Sequence, residues 1–399
     1  MPDFRIRFMK DDLKVYAKLK NSPEDFVVEE IGEKWNCKVS QEFVSNLGTD
    51  ISKLDMDIQK DFLWCELEKK DLDHLTAVKE VCRLLEISKD DLGYAGMKDK
   101  IAWTSQRISI FKPDLELLKN FSHERIILKN FKWNKRKIKI GYLDGNHFRI
   151  VLRDVDKKDA IKVSNKIRSQ NWFPNYFGSQ RFGSMRNNNV KIGKLLLKKK
   201  FKEAVFCILT DLGNEKEEIS NARLRLRKEM DFEKVLEYFP KFLRLEYKLI
   251  DYLVRRKDDY LGAVRNVDKK SMLMFVNSVQ SKIFNEILET ALGEGLDFTK
   301  EGQKNCLLVG YKSRFYNGRL GEIEKEVLKS HDLSLEDFNL EEVGYLRIKG
   351  SFRKALVEVK DLEVEISDDE VFEGSKKIVL SFDLPSGTYA TTFLENFFN

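Results

Sequence analysis

GYAGMKDKIAWTSQ, residues 93–106, presents a single carboxylate, Asp99, between the two lysines Lys98 and Lys100. Two glycines stand just upstream, and a strand-like run follows. Adjacent ammonium groups favour the ionised form of a carboxylate, which suits a nucleophile or a base. A purely structural role is the commoner one for such a pattern, with the glycines in a turn and Asp99 as a cap or ion-pair partner. From these residues alone, both interpretations stay open.

Other chemistries find less support in the sequence. The stretch lacks the GxxxxGK[ST] spacing of a phosphate-binding loop, so a hydrolase or nucleotide-binding enzyme that uses it in this way is a remote alternative. No second acid follows at a fixed spacing, as a glycosidase requires. The five cysteines and four histidines form no CxxC, HExxH or HxE pattern. This argues against a disulfide framework and against a zinc site, and we expect no metal.

The composition fits a protein of two or three domains with a modest basic charge. The chain has 399 residues, and its 72 Lys and Arg against 66 Asp and Glu give a net charge of +6. This charge alone is weak evidence for a nucleic-acid partner. No secretion signal and no apolar run of 18 residues is visible. Because the cysteines are also dispersed, we expect a cytoplasmic protein without a membrane span.

Hydrophobic periodicity predicts grouped helices and strands, which is typical of an α+β fold. Apolar runs predict strands at 26–31, 62–68, 108–111 and 378–382. One face of a predicted helix carries Leu72, Leu75, Val78, Cys82 and Leu85. Helical spacing at about 190–265 predicts a helical layer, and residues 272–292 predict a longer amphipathic helix. The buried face of this longer helix is predicted to hold Phe275, Val279, Ile283 and Ile287.

The segment RKIKIGYLDGNHFRIVLR, residues 136–153, predicts a two-stranded antiparallel hairpin. Isoleucines alternate with lysines in its first half, and apolar residues alternate with arginines in its second half. Asp144-Gly145 lies between the halves, and this dipeptide supplies the positive φ angles of a tight turn.

Two basic patches are candidates for contacts with RNA. One is KWNKRKIKI (132–140) and the other is KIGKLLLKKKFK (191–202), which holds six lysines. Each patch taken alone is as easily a solvated face. The first is favoured because it lies on the predicted hairpin beside Phe148, and cations next to an aromatic ring suit a nucleic acid. A single aromatic residue on a strand is nevertheless more often part of the core.

GYAGMKDKIAWTSQ resembles the catalytic motif of the TruD family of tRNA pseudouridine synthases, AGxKDK/R followed by AxTxQ. Four further segments resemble motifs of the same family in the same order. They are KNSPEDFVVEE (20–30), GYLDGNHFRIVLR (141–153), FPNYFGSQRFG (173–183) and FDLPSGTYATTFLE (382–395). Five colinear matches make the resemblance specific.

The resemblance implies a pseudouridine-synthase catalytic domain with a mixed or antiparallel sheet, formed by residues 1–170 and 350–399. Residues 171–349 would form an inserted α+β TRUD domain that includes the helical segment at about 190–265. A cleft between the two domains is expected to admit an RNA stem.

The implied activity is conversion of a uridine in tRNA, usually uridine 13, to pseudouridine. The N1–C1′ bond breaks, and the uracil rejoins the ribose through C5. We expect tRNA as the partner, no small-molecule cofactor, no membrane and a monomeric state. The alternative is an RNA-binding or RNA-folding factor that has kept the fold without turnover.

The resemblance also assigns roles to individual residues. Asp99 is the expected catalytic aspartate, which either attacks C1′ or abstracts the 2′ hydrogen, and Lys20 is expected to pair with it. Phe148 would stack on the uracil, Asn146 would hydrogen-bond the uracil edge or the ribose, and Phe26 and Tyr389 are weaker pocket candidates. The first basic patch, and not the resemblance, supplies the expected RNA-binding residues Lys132, Lys135, Arg136 and Lys137.

One departure from the family pattern lies near the C-terminus. After TYATT the family usually has an Arg-Glu pair, whereas this chain has Phe393, Leu394 and Glu395. A salt bridge or substrate contact of that arginine is therefore expected to be missing.

Overall fold

The computed structural model describes residues 5–7, 15–45, 49–52, 54, 60–169, 171–183, 185–299 and 304–398. The chain divides into two compact units, Met1–Phe173 with Val357–Asn399, and Pro174–Leu356. Their roles as a catalytic domain and an inserted domain, and the cleft expected between them, stay predictions.

Strands and helices are numbered in chain order. The described strands are β1 (Arg5–Arg7), β2 (Tyr16–Leu19), β3 (Phe26–Ile31), β4 (Phe62–Lys70), β5 (Leu92–Tyr94), β6 (Trp103–Phe111), β7 (Ile126–Asn134), β8 (Gly145–Val155), β9 (Trp172–Pro174), β10 (Asn305–Leu308), β11 (Ser351–Lys354), β12 (Leu356–Glu358), β13 (Lys360–Asp368) and β14 (Lys376–Pro385). The described α-helices are α1 (His74–Leu84), α2 (Leu115–Lys119), α3 (Lys157–Arg168), α4 (Asn189–Leu197), α5 (Phe201–Thr210), α6 (Glu217–Glu229), α7 (Phe232–Tyr238), α8 (Arg244–Arg255), α9 (Tyr260–Asn266), α10 (Lys269–Gly293), α11 (Gly318–Ser330) and α12 (Ala390–Phe398). Short 3₁₀ helices span Pro23–Asp25, Lys89–Asp91, Ser179–Phe182, Glu336–Phe338 and Glu341–Leu346.

The first unit is built on one mixed sheet. Its main strand order is β1-β2-β8-β3-β6-β4-β7, with β14 also beside β8, β13 beside β14, and β5 beside β6. Among the described strand pairs of this sheet, β3 and β6 run parallel and the others are antiparallel. A mixed sheet with grouped helices confirms the predicted α+β class, and the predicted strands coincide with β3 or lie within β4, β6 and β14.

Two hydrophobic cores cover this sheet. One lies between α1 and strands β4 to β7, and the other involves β2, β3, β8, β13 and β14 with α3 and α12. The helix α1 begins at His74 because the Asp73 side chain caps it, accepting from the Thr76 backbone N–H at 3.0 Å. Val78 and Cys82 are buried as predicted, but Leu75 is 51% exposed because it lies at the margin of the buried face.

The predicted hairpin at 136–153 is wrong. Its second half is indeed a strand, since β8 begins at Gly145. The partners of β8, however, are β2, β3 and β14, and residues 135–144, which are described throughout, form no strand. Three strands that are distant in sequence satisfy the backbone of β8, with β14 on one side and β2 and β3 on the other, so no edge is left for a local hairpin partner.

The segment before β8 instead packs against β6 and against the loop that follows β5. Ile138 is 1% exposed, and its backbone N–H donates to Ser109 Oγ at 2.9 Å. The Gly141 N–H donates to the Ala95 carbonyl at 2.8 Å. One buried isoleucine and two backbone hydrogen bonds thus hold this segment. The alternation of Ile with Lys does not mark a strand here, because Ile138 is buried but Ile140 is 72% exposed.

The second unit is mainly helical, with α10 at its centre. Six helices, α4 to α9, occupy the stretch that was predicted as a helical layer. The predicted buried face of α10 is confirmed, since its four residues Phe275, Val279, Ile283 and Ile287 are at most 1% exposed. Gly193 of α4 allows close packing on α10, because a Cβ atom there would lie 2.2 Å from the Phe275 carbonyl oxygen.

Among the described residues, none of the helices combines the length and the hydropathy of a membrane span.

Candidate active site

Asp99 lies in the loop between β5 and β6, with its side chain 53% exposed. The Lys20 ammonium donates to Asp99 Oδ2 at 2.7 Å, and the Lys20 side chain is only 12% exposed. The predicted pairing of these two residues is therefore confirmed. The Asp99 carboxylate is accessible to a ligand, whereas the Lys20 side chain that pairs with it is mostly covered by the protein.

Lys20 is held in place by its backbone and by an aromatic ring. It follows β2 directly and has a φ of 57°, a left-handed conformation that costs a non-glycine residue roughly 1 kcal/mol. Its ammonium lies 3.9 Å above the centroid of the Phe26 ring. Strained conformations of this kind persist where the surrounding structure imposes them, often at functional sites. Phe26, predicted as a pocket residue, is 2% exposed and contacts the Lys20 ammonium with the face of its ring.

The turn between Lys20 and Phe26 is locked by a buried ion pair. Arg153 Nε donates to both carboxylate oxygens of Asp25 at 2.9 Å, and its Nη1 donates to Asp369 at 2.9 Å. The Asp25 carboxylate also accepts from the Ser22 backbone N–H at 3.1 Å. Buried ions that are paired on several sides resist displacement, so the backbone that carries Lys20 is fixed.

A second lysine, Lys69 at the end of β4, holds the backbone of Asp99. Its side chain is completely buried, and its ammonium donates to the carbonyl oxygens of Asp99 at 2.6 Å and Leu72 at 2.8 Å. No carboxylate among the described residues lies within ion-pair distance of it. Burial lowers the pKa of Lys69 to about 8, and the nearby charge of Asp99 opposes this shift.

Lys98, which flanks Asp99 in the sequence, does not contact its carboxylate. It turns into the protein, where its ammonium donates to Asn146 Oδ1 at 2.5 Å and lies 3.3 Å from Glu30 Oε2. The expectation that both flanking lysines surround the Asp99 carboxylate is wrong for this residue. Consecutive side chains in an extended loop point in different directions, so adjacency in sequence did not produce contact.

The sheet places the remaining predicted pocket residues on one face. Asn146 pairs in register with Glu30 of β3, and Phe148 pairs with Val28. Residues that are directly opposite on neighbouring strands share a face of the sheet. Asn146 is partly exposed, whereas Phe148 is 6% exposed.

Phe148 belongs to an aromatic cluster in the core. Its ring stacks on Phe382 at a centroid distance of 5.6 Å and meets the edge of Phe26 at 6.4 Å. One ring face is thus covered by Phe382 in the structure. Tyr389, immediately before α12, is 60% exposed. The predicted contacts of Phe148, Asn146, Phe26 and Tyr389 with a substrate stay predictions.

The two glycines of GYAGMKDK have different environments. A Cβ atom at Gly93 would lie 2.3 Å from the Ile138 carbonyl oxygen and 2.5 Å from Ser109 Oγ. Gly93 is therefore needed for close approach of the segment before β8, and not for a turn. A Cβ atom at Gly96 would meet nothing within 4 Å.

The predicted RNA-binding residues differ in their availability. Lys132, Lys135 and Arg136 are exposed. The Lys137 ammonium donates to the backbone carbonyl of Asp90, so this residue is partly engaged within the protein. In the second basic patch, Lys191, Lys198 and Lys199 form ion pairs with acidic residues of the same unit. The first patch thus offers more unpaired charge to a polyanion.

No group of three or more His, Cys, Asp or Glu side chains among the described residues is arranged to hold a metal ion.

A model of the family tRNA pseudouridine synthase D (TruD) matches residues 7–307 and 299–397 of the chain. The chain belongs to the TruD family. A Methanosarcina mazei protein named "Probable tRNA pseudouridine synthase D" is 31% identical over 436 residues, covering 98% of this chain and 95% of the relative. A Methanopyrus kandleri protein of the same name is 33% identical over 338 residues, covering 82% of this chain and 83% of the relative.

A solved structure supports the TruD fold. The crystal structure of a Methanosarcina mazei protein assigned to TruD matches with a TM-score of 0.77 at 30% identity. The match covers 96% of this chain and 93% of that one. The predicted family and the predicted fold class are therefore confirmed.

The departure from the TruD pattern after TYATT is explained by packing. Phe393 is fully buried, with its ring 4.6 Å from the Phe382 ring and 5.2 Å from the Phe173 ring. The position that usually carries a charge in TruD proteins is thus occupied here by a core residue.

Sequence reasoning missed two buried charged residues. Lys69 binds the Asp99 backbone carbonyl, and Glu30 lies opposite Asn146 on the neighbouring strand. Lys69 follows Leu63, Cys65 and Leu67 at the two-residue spacing of a strand, and these three are completely buried. A lysine in the core-facing register of a strand was the available signal. Glu30 gives the same signal, since it follows Phe26 and Val28 at the same spacing and is fully buried.

His74, beside Lys69 at the start of α1, predicts a pH dependence of stability. It is 2% exposed, and neither ring nitrogen has a hydrogen-bond partner in the described part of the chain. Burial lowers its pKa from 6.5 to about 4. Below pH 6.5 the unfolded chain therefore binds a proton that the folded protein excludes, so the free energy of unfolding decreases as the pH is lowered. We expect His74 to account for a decrease of about 2 kcal/mol in the free energy of unfolding when the pH is lowered from 7 to 5.

The substitution His74→Phe tests this expectation, because it keeps an aromatic ring edge-on to Tyr94. Urea unfolding at pH 7 and pH 5 should show a smaller loss of unfolding free energy in the variant than in the wild type. An equal loss in both proteins would assign the pH dependence to other groups.

Proposed function

We propose that this TruD protein isomerises a uridine of tRNA, uridine 13, to pseudouridine, with Asp99 as the reacting carboxylate. Family membership supports the reaction class. The contacts of Lys20 and Lys69 with Asp99 support the choice of Asp99 as the reacting residue. The observation that carries the proposal is a half-exposed carboxylate 2.7 Å from the partly buried Lys20 ammonium, with the backbone carbonyl of Asp99 bound by Lys69.

The reaction is an isomerisation, so atoms and electrons balance without a co-reactant. The N1–C1′ glycosidic bond is broken, the detached uracil turns, and C5 forms a new bond to C1′. C5 then loses its proton, and N1 gains one. The enzyme must hold the free uracil between the two bond changes, which requires a closed pocket and a fixed carboxylate next to C1′.

Asp99 has one oxygen available for either of its two expected roles. Lys20 occupies Oδ2, and no partner for Oδ1 is found among the described residues. Oδ1 is therefore the atom that would attack C1′ or take the 2′ proton. Departure of the uracil places negative charge on the base, and the Lys20 ammonium is close enough to Asp99 to stabilise that charge.

The pocket would be completed by residues on the face shared by β3 and β8. Phe148 and Phe26 form an apolar floor, and Asn146 supplies a polar group at its edge. Stacking of the uracil on Phe148 requires a change at the Phe382 contact, or use of the remaining part of the ring. Tyr389 is exposed and would close the pocket from the C-terminal side.

The target uridine must leave its stack to reach Asp99, which costs a few kcal/mol. Contacts between cations and phosphates offset this cost by releasing counterions. Lys132, Lys135 and Arg136 are the proposed source of these contacts, since all three are exposed.

Replacement of Lys132, Lys135 and Arg136 by Ala is expected to weaken tRNA binding and to flatten its dependence on salt. Each lost phosphate contact lowers the slope of log K against log salt by about one unit. Filter binding between 50 and 200 mM salt measures this slope. The matched control replaces Lys157, Lys158 and Lys162, three exposed lysines of α3. A slope that changes equally in both triple variants would place the RNA contacts elsewhere.

The proposed activity is tested on tRNA transcripts that carry no modifications. Purified protein is incubated with the transcripts, and pseudouridine is located by carbodiimide labelling and reverse-transcription stops. Several turnovers at uridine 13 per protein molecule are expected. Tight tRNA binding without pseudouridine would favour the RNA-binding or RNA-folding alternative. Pseudouridine at another position would keep the reaction and correct the target.

A further inference from the structure

Asn146 has an amide whose orientation is fixed by a buried cation. The oxygen and nitrogen of an asparagine amide have almost the same shape, and hydrogen-bond partners decide which is which. Here the partner of Oδ1 is the Lys98 ammonium at 2.5 Å, and an ammonium group can only donate. The amide oxygen must therefore face Lys98, and the NH₂ group is the end that remains for another partner.

Lys98 is itself fixed by a chain of buried charges. Its side chain is 5% exposed, and its ammonium lies 3.3 Å from Oε2 of the fully buried Glu30. The other oxygen of Glu30 accepts from Arg107 Nε and from the Arg107 backbone N–H, both at 3.3 Å. Arg107 in turn donates to the Tyr142 carbonyl at 3.2 Å. The order Arg107, Glu30, Lys98, Asn146 links the sheet interior to the pocket edge.

This chain of charges has more positive than negative members. Two cations, Lys98 and Arg107, share the single carboxylate of Glu30, so the Asn146 oxygen provides part of the compensation that Lys98 needs. Burial lowers the pKa of Lys98, and Glu30 opposes that shift. A flip of the amide would bring its NH₂ group against the ammonium, which a buried cation cannot tolerate. The orientation is therefore kept in the free protein.

We infer that Lys98 is a positioning residue that makes Asn146 an obligatory hydrogen-bond donor, and that the atom recognised is a carbonyl oxygen of the uracil. This inference rests on the proposed function and deepens it. The uracil edge carries two such acceptors, O2 and O4, and one donor, N3–H. Because Asn146 presents NH₂, it binds an acceptor and not N3–H. An ammonium on the opposite side of the amide also polarises it, which strengthens the donor.

The geometry next to the reacting centre supports this role. Asn146 and Phe148 lie on one face of β8, two residues apart, and Lys98 is the direct sequence neighbour of Asp99. A base held against the Phe26 and Phe148 rings would therefore have its edge near the amide. Negative charge that develops on the departing uracil is shared with O2 and O4, so a donor to either oxygen is worth more during bond cleavage than before it.

The first test is the substitution Asn146→Asp on a tRNA substrate. A carboxylate keeps the size of the amide and pairs with Lys98, but it has no N–H to give. We expect kcat to fall about 10- to 100-fold, as for Asn146→Ala, because one hydrogen bond to a charged base is lost. Turnover by Asn146→Asp near the wild-type level would overturn the inference, since an acceptor would then suffice.

The second test identifies the recognised atom with transcripts that carry 2-thiouridine or 4-thiouridine at the target. Sulfur is a weaker acceptor than oxygen, so one of the two is expected to slow the wild type by about tenfold. The same replacement of oxygen by sulfur in the transcript should not slow the Asn146→Ala variant any further. Thio effects of equal size in the wild type and in Asn146→Ala would overturn the inference.

The role of Lys98 is tested with Lys98→Met and Lys98→Arg. Removal of the cation frees the amide to flip, so Lys98→Met should reduce the thio effect of the wild type, and Lys98→Arg should restore part of it. A residue that only stabilises the fold would lower activity without changing the thio effect. If wild-type protein forms no pseudouridine on unsubstituted tRNA, the proposed function fails together with the inference. If it does so and the variants behave as the wild type, the inference fails alone.

Discussion

Asp99→Asn is expected to abolish pseudouridine formation and to leave tRNA binding intact or slightly tighter. The amide keeps the size of the carboxylate, and its oxygen can still accept from Lys20. It can neither attack C1′ as an anion nor take the 2′ proton, so kcat should fall by at least about 10³-fold. Binding should not weaken, because the substitution removes a negative charge from a surface that meets a polyanion. Single-turnover assays with excess enzyme, together with filter binding, measure both quantities.

The structure offers a closely matched control for this substitution. Asp154 forms an ion pair with Lys18, whose ammonium lies 3.0 Å from Asp154 Oδ2. The same ammonium lies 3.8 Å above the centroid of the Phe372 ring. This repeats the arrangement of Lys20, Phe26 and Asp99 at another place in the same unit. Asp154→Asn should retain activity. Measurable turnover by Asp99→Asn at the rate of Asp154→Asn would refute the assignment of Asp99 as the reacting carboxylate.

Lys20→Met is expected to reduce kcat by about 10²-fold with little change in tRNA affinity. Methionine keeps the length of the apolar stem over Phe26 but removes the ammonium that binds Asp99 and faces the developing charge on the base. The fold should persist, because the turn after Lys20 is held independently by the ion pair between Asp25 and Arg153. Thermal unfolding and single-turnover rates together distinguish a loss of chemistry from a loss of structure.

Two further variants sharpen this second prediction. Lys18→Met removes the same kind of cation two positions earlier, from within β2, and should leave kcat unchanged. Lys20→Arg restores a charge with different geometry and should recover part of the rate. Equal losses in Lys18→Met and Lys20→Met would mean that the ammonium of Lys20 acts through the stability of β2 and not on the reaction.

Part of the site could be predicted because resemblance to a family carries long-range information. Lys20 and Asp99 are 79 positions apart, and no local pattern in either stretch indicates that they meet. The colinear TruD motifs supplied that pairing, and the 2.7 Å contact confirms it. Local patterns alone left Asp99 open to a structural role.

Other contacts were outside the reach of both local pattern and resemblance. Lys98 was expected beside the Asp99 carboxylate but instead binds Asn146, 48 positions away. Lys69 was not singled out, although it binds the Asp99 carbonyl across 30 positions. In both cases the partner of the lysine depends on which strand or loop lies next to it. The strand order of the sheet determines these neighbours, and the charge of the lysine does not.

The sequence by itself determined the elements whose hydrophobic period is clear, such as β3 and α10, and through its motifs it determined the family. Only the tertiary structure decided that residues 135–144 form no strand, that Gly93 serves close packing, and that two buried lysines bind the Asp99 carbonyl and the Asn146 side chain. The physical reason is that periodicity reports which side of an element is buried, and this depends on near neighbours along the chain. The partner of a buried polar group is selected by strand order and register, which depend on the whole chain at once.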